Sequence, residues 1–307
     1  MIMNVPYIVK SPSSIALFEL VKRLANFPTT VLIEGEIGSG KKMIAEKIHT
    51  LSDRSNMPFV KINCGSIVDR ELHMELFGTD RTAIPAGKRA SGLIETADQG
   101  TLFLDEVGEL SAILQVKLLK FLQDRENDRS GGSWSKKLNI RIIASSSTPL
   151  IQLVKEKKFR EDLYYRLNVA YIAVPPLRDR PEEILPLINH YLLYFCKEYQ
   201  LKKWFKNETL EILKNYPFRG NILELRNLVE MLCVNTAADY ILPSDLPGYI
   251  VPKPVSVRSL ESQVGEFESQ LIRHALEMEG SIRKAAARLQ ISHATLLRKM
   301  HKWGIEK

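Results

Sequence analysis

The sequence predicts a parallel α/β domain, then a smaller helical segment, then a compact all-α unit at the C-terminus. Three stretches carry that reading. Val31, Leu32 and Ile33 form a short apolar run that ends in Gly35-Glu36-Ile37-Gly38-Ser39-Gly40-Lys41, and a helical pattern through Met43, Ile44, Ala45 and Ile48 follows. Gly100-Thr101-Leu102-Phe103-Leu104-Asp105-Glu106 is a second buried-strand pattern, closed by two carboxylates. From Leu260 onward, apolar residues recur at helical spacing in three runs separated by turns.

Composition bounds the rest. The 307 residues suit two or three compact units, and 45% hydrophobic residues are enough for a core. No apolar run approaches the roughly 18 residues of a membrane span, and Met1 to Ser14 lacks the order of a signal peptide, so a cytoplasmic protein with no membrane partner is expected. Cys64, Cys196 and Cys233 are too few and too scattered for a disulfide framework or a zinc site, and are expected to be small buried residues. The formal charge is +7, and from Ser281 to Lys307 seven Lys and Arg stand against one acid, Glu306. A solvated face is the plain account of such a run. Its interleaving with helical apolar residues points instead to nucleic acid.

In chain order, Ile15 to Leu24 is an amphipathic helix leading into the first strand. Strand, glycine-rich turn and helix then form a phosphate cradle: glycines let successive N–H groups turn inward, the helix N-terminus adds positive potential, and Lys41 reaches the outer phosphates. Gly35, Glu36, Gly38, Ser39, Gly40, Lys41, Lys42 and Met43 are the expected nucleotide contacts; the competing reading is a glycine turn in an ordinary βα unit. Lys42 stands where a Ser or Thr hydroxyl would ligate magnesium, so the metal must be held elsewhere or more weakly. Pro58 to Cys64 reads as the second strand, with Asn63 at its ligand side, and Arg70 to Phe77 as a helix. Asp105 is placed to hold Mg2+ and Glu106 to orient the attacking water, the alternative being solvent-facing strand ends. Leu114 to Leu122 is a helix, and Asn139 to Ala144 a strand ending in Ser145-Ser146-Ser147. Ser147 either touches the nucleotide or belongs to a plain turn. Arg160 and Arg166 flank a helical turn and suit phosphate, as arginine fingers if another subunit presents them.

Pro175 to Arg180 breaks the α/β pattern, and Glu182 to Ala238 reads as a helical lid with a turn at Pro217 to Asn221. The expected boundaries are 1–178 for the α/β part, 179–241 for the lid, 242–257 for a proline-containing linker and 258–307 for the tail. In the tail, Phe267, Leu271, Ile272, Ala275 and Leu276 give the first helix its apolar face, and Ile282, Ala285, Ala286 and Leu289 mark the second. Ile291-Ser292-His293 is the turn and Ala294 to Trp303 the third helix. That is a helix-turn-helix in which Ser292, His293, Thr295, Arg298 and Lys299 face double-stranded DNA while Leu296, Leu297 and Met300 include the packing positions; a protein-binding three-helix unit is the alternative.

With these parts in this order the chain resembles the bacterial enhancer-binding regulators, whose AAA+ ATPase domain remodels RNA polymerase carrying sigma-54 and whose C-terminal helix-turn-helix binds DNA. The matching stretches are Gly35 to Lys41, Phe59 to Cys64, Glu75 to Gly78, Gly100 to Leu110, Phe159 to Val169, Pro175 to Arg180, and Gly220-Asn221 with Glu224-Leu225. The resemblance implies an ATP and Mg2+ site, an Asn63 that restrains Glu106 until ATP is sensed, Arg160 and Arg166 reaching a neighbouring subunit, and assembly from dimer to hexamer. No N-terminal sensory domain is expected in this sequence. Three stretches depart from the family. The loop that touches sigma-54 reads Thr82-Ala83-Ile84-Pro85-Ala86-Gly87 without its aromatic-Thr tip, the lid arginine is Leu223, and the usual Thr-Asn is Ser146-Ser147. The proline in the loop and the opening of the last helix look more like the tyrosine-responsive branch, which does not act through sigma-54. The implied function is an ATP-dependent activator of RNA polymerase. The alternatives are a regulator that uses its nucleotide domain for binding and assembly with little ATPase, and an AAA+ remodeller with a protein-binding tail.

Overall fold

A computed structural model of the chain describes residues 8–66, 68–78, 92–126, 138–251, 260–303 and 305. They form two compact units, Met1–Asp245 and Leu246–Lys307. The first runs α1 (Pro12–Ala25), β1 (Val31–Glu34), α2 (Lys41–Thr50), β2 (Phe59–Asn63), α3 (Asp69–Phe77), α4 (Leu93–Thr96), β3 (Thr101–Asp105), α5 (Ala112–Glu126), β4 (Arg141–Ser146), α6 (Leu150–Lys155), α7 (Glu161–Leu167) and β5 (Ala170–Ala173). It continues with α8 (Ile184–Glu198), β6 (Trp204–Phe205), α9 (Asn207–Lys214), α10 (Asn221–Asn235) and β7 (Tyr240–Ile241).

β1 to β5 make one parallel sheet in the order β2-β3-β4-β1-β5. Alternate residues point to opposite faces, and the central strands β3, β4 and β1 are covered on both, which is why residues 31–33, 102–104 and 142–144 read as unbroken apolar runs, while the edge strands β2 and β5 are only partly buried. Val31, Ile33, Phe103, Ile143 and Ile172 pack with Leu17 and Val21 of α1 and Ile44 and Ile48 of α2. Leu32, Leu102, Leu104, Ile142 and Ala144 pack on the other side with Leu72, Leu118 and Leu163. The fold is therefore the expected parallel α/β core, built in three layers.

One buried charge holds two of these layers in register. Arg141 is fully buried and donates to Ala25 O at 2.9 Å and Leu24 O at 2.7 Å, two carbonyls of the last turn of α1. Burial lowers its pKa to about 10. The helical lid carries a two-residue parallel pair, β6 with β7, that no periodicity announced. Its buried Lys203 ammonium caps the end of α10 through Thr236 O at 2.5 Å and Ala238 O at 2.7 Å. All three cysteines are free; Cys64 and Cys233 are buried, which pushes both thiols up to about 12, while Cys196 is half-buried.

The second unit contains α11 (Leu260–Glu279), α12 (Ile282–Arg288) and α13 (His293–Lys302). Ile272, Ala275, Ala285, Ala286, Leu296, Met300 and Ile305 form its core. Phe267 and Leu271 do not belong to it: they are 63% and 43% exposed, because α11 carries two apolar stripes and the one through Ile272 and Ala275 faces the alanines of α12. Of the expected linker, Pro243–Asp245 is a single helical turn and Ile250 is buried, and residues 252–257 lie outside the described ones. So does the 82–87 loop. No described helix is long and apolar enough to cross a membrane.

Candidate functional site

A parallel sheet brings its carboxyl ends to one edge, and here that edge gathers the chemistry. β1 delivers the cradle, β2 delivers Asn63, β3 delivers Asp105 and Glu106, and β4 delivers Ser147. Asn63 stands level with Asp105, and Glu34 with Ser146.

The cradle needs glycine at two points. Gly40, at the N-cap of α2, has φ of 107°, where a side chain is strained. Gly38 has φ of 74°, and a Cβ there would sit 2.4 Å from Gly220 O of the lid. Lys41 follows at only 5% exposure. Its ammonium donates to Ser147 Oγ at 2.6 Å, Gly35 O at 2.8 Å and Glu36 O at 3.3 Å, and pairs with Glu106 Oε1 at 3.1 Å. Ser147 in turn donates its hydroxyl to Glu106 Oε1 at 2.5 Å and its N–H to Oε2 at 2.7 Å. Glu106 has φ of 56° and ψ of 51°, a region uncommon outside glycine that marks functional turns. Asp105 Oδ1 accepts from the Ser145 hydroxyl, whose oxygen accepts from Glu106 N at 3.2 Å.

This arrangement corrects one expectation. Asn63 Oδ1 accepts from Gly65 N at 2.9 Å and shapes its own turn, and Ser147 takes the grip on Glu106. The reason is reach: β4 places the Ser147 amide and hydroxyl together in front of the carboxylate.

A cleft of about 1260 Å³ opens above this edge. Of the expected residues, Gly38, Gly40, Lys41, Lys42, Met43, Asn63, Asp105, Glu106 and Ser147 line it, and Gly35, Glu36 and Ser39 do not. Gly35 lies against Val174. Glu36 turns to the lid side, where Arg178 grips both its oxygens at 2.6 and 2.8 Å and Asn221 Nδ2 adds a bond at 3.2 Å; the Arg178 fork, then the Asn221 bond, lowers its pKa to about 2. Ser39 is buried, with its carbonyl taking Arg180 at 2.6 Å.

Two lid residues were not legible as site residues. Asn221, at φ of 56°, donates to Ile37 O at 2.9 Å and accepts from Leu177 N at 2.7 Å, while Ile222 N reaches Gly38 O at 3.0 Å. The signal was there: Asn is one of the few residues besides Gly that tolerates the left-handed region this turn adopts. Arg226 lines the cleft one turn beyond Leu223, which lines it too, with its guanidinium 5.7 Å from the Phe195 ring. Arg160 and Arg166 are not among the cleft's lining residues. Arg160 is exposed and forks onto Asp162 at 2.8 and 3.0 Å; Arg166 closes α7, half-buried.

The lining fits a nucleotide. Lys41, Lys42, Lys47, Lys61 and Arg226 are its cations, and one buried polar atom of the lining, Arg226 Nε in the lid, has no hydrogen-bond partner among the described residues. Magnesium fits less well. Asp105 has one oxygen tied to Ser145, position 42 offers an ammonium, and no cluster of three or more His, Cys, Asp or Glu suited to a metal occurs among the described residues.

In the second unit Ser292 caps α13, accepting from Thr295 N at 3.1 Å and sharing a 2.7 Å bond with Thr295 Oγ1. His293 and Arg298 are exposed as expected. One position is corrected, and the packing positions are resolved. Lys299 is held by Glu268 of α11 at 2.6 Å, because it lies on the flank of α13 that meets α11. Leu297 is 43% exposed, since Leu296 and Met300 already fill the core. The open face is therefore His293, Ala294, Leu297, Arg298 and His301.

Residues 7–173 match the sigma-54 interaction domain, 178–263 an AAA+ ATPase lid domain and 257–306 a helix-turn-helix domain. The regulatory protein AtoC of Escherichia coli (strain K12) is 38% identical over 97% of this chain and 68% of its own length. The transcriptional regulatory protein ZraR of Klebsiella oxytoca is 39% identical over 94% and 67%. Among solved structures, NtrX from Brucella abortus in complex with ATP superposes with a TM-score of 0.72 at 29% identity, over 98% of this chain and 70% of that one.

Proposed function

Since the chain belongs to the sigma-54 interaction domain family, with its AAA+ lid and helix-turn-helix, we propose that it is a transcriptional regulator that binds ATP in the cleft, binds double-stranded DNA through α13, and acts on RNA polymerase as an assembly of several copies. The carrying observation is the closed Lys41, Ser147 and Glu106 constellation at the carboxyl edge of the sheet. Lys41 is the phosphate anchor, Gly38, Gly40, Lys42 and Met43 complete the seat, and Asn221 ties lid to cradle. Glu106 is the water-orienting carboxylate, released only when Ser147 lets go. Arg160 and Arg166, standing outside the lining of their own cleft, serve a neighbour's. We assign 1–178 to the nucleotide domain, 179–241 to the lid, 242–257 to a linker and 258–307 to the DNA-binding domain, in the bacterial cytoplasm.

A second reading, a regulator that assembles on ATP without contacting sigma-54, is supported by Pro85 and by the ammonium at position 42. Transcription from a supercoiled template carrying a sigma-54 promoter separates the two. Purified protein at micromolar concentration replaces tethering at an unknown site by mass action. Transcripts with sigma-54 holoenzyme and ATP, absent with Glu106→Gln, support the first reading. An effect confined to housekeeping holoenzyme supports the second, and no effect on either removes both.

A further inference from the structure

The cleft has an ammonium where a metal ligand is expected. α2 begins with Lys41 and Lys42, and its first turn contains no acid. Cations are disfavoured at a helix N-terminus, where the unpaired N–H groups already carry positive potential. Lys41 is relieved by two carbonyls, Ser147 and Glu106. Lys42 has no such relief: it is exposed, lines the cleft, and makes no hydrogen bond or ion pair among the described residues. Of the carboxylates that line the cleft, Asp105 is engaged by Ser145, Glu106 by Ser147 and Lys41, and Glu46 by Lys61, and no bond joins Lys42 to the remaining one, Glu109, among the described residues. Of the other lining cations, Lys61 is paired with Glu46 at 3.2 Å and Arg226 with Glu230 at 3.6 Å, and Lys47 stands in the last turn of α2, away from the cradle end of that helix. A polyanion seated on the cradle is what would turn these two consecutive lysines at a helix N-terminus from an unfavourable feature into a favourable one.

We propose that Lys42 supplies the positive charge that a divalent cation otherwise brings to a bound triphosphate, so that this cleft takes ATP without requiring magnesium. The inference rests on the nucleotide-site reading above. Magnesium helps a triphosphate bind by lowering its charge and bridging its oxygens to a protein ligand. A fixed ammonium beside the cradle answers the same charge, and it repels a metal ion from the position a hydroxyl would hold. It also leaves Asp105 free to keep its bond to Ser145.

The test is a titration of the full chain with fluorescently labelled ATP, read by anisotropy, in excess EDTA and in excess Mg2+. The two affinities should agree within about threefold, and Lys42→Thr should open the ratio to about tenfold or more in favour of Mg2+. Lys42→Arg should keep the ratio near that of the native protein, with circular dichroism confirming the fold of each variant. A native protein that loses about tenfold or more on chelation, or a Lys42→Thr variant with the native ratio, overturns the proposal. Tight binding restricted to Mg2+ removes this inference and leaves the nucleotide site intact. Binding in neither buffer removes both.

Discussion

Glu106 is gripped on both oxygens, by the hydroxyl and N–H of Ser147 and by the Lys41 ammonium. Lys41 is thus shared between the cradle that would hold phosphate and the carboxylate that would orient water. Removing it takes away a charge-assisted bond in a nearly buried place. Lys41→Ala should weaken ATP by tenfold or more, about 1.4 kcal/mol, in a titration of the purified variant, and unchanged affinity would refute the anchor role. That Lys41, Asp105 and Glu106 meet at the carboxyl edge of the sheet was legible, because each closes or follows a strand in a short local pattern. Which side chain restrains Glu106 was not. Asn63 and Ser147 both end strands at the same edge, and the choice depends on how β4 lies against β3, a matter of register that no spacing reveals.

The start of α10 acts as the hinge pin of the site. Asn221 meets Glu36, Ile37 and Leu177 through one amide group, and its backbone sits at a positive φ that alanine resists. Asn221→Ala should therefore lower stability by about 2 kcal/mol in urea unfolding, from lost buried hydrogen bonds, and should weaken ATP as well. A loss below about 0.5 kcal/mol would show that the lid docks by apolar packing alone. In the second unit the corrected faces of α13 separate two lysine and arginine roles that sequence had merged. Arg298→Ala should weaken duplex DNA binding and reduce its salt slope by about one, as for a lost phosphate contact. Lys299→Ala should act through its bond to Glu268 and shift the thermal midpoint instead. If Arg298→Ala leaves affinity and slope unchanged, α13 is not the reading element. The three helices were visible in the periodicity, but their buried stripes were not fully so, because α11 is apolar on two sides and only the position of α12 decides between them.

For the whole molecule, the centre of the α/β core was readable because β1, β3 and β4 are buried on both faces and are therefore continuous apolar runs, whereas the half-exposed edge strand β5 was not. The β6–β7 pair was not, since two residues hold no period. Arg160 and Arg166 bear on assembly. If they complete a neighbour's site, specific ATPase activity should rise with protein concentration across the range where sedimentation shows oligomers, and Arg160→Ala should flatten that rise. Activity independent of concentration would return both arginines to a structural role. The division at Asp245 and Leu246 has a further consequence, visible on heating. Each unit has its own core, and that of the second is a small cluster of mostly aliphatic side chains. Calorimetry should therefore record two melting events rather than one, the minor one at lower temperature. A nucleotide should delay only the major event and a DNA duplex only the minor one, so that two ligands would write separate signatures on a single thermogram.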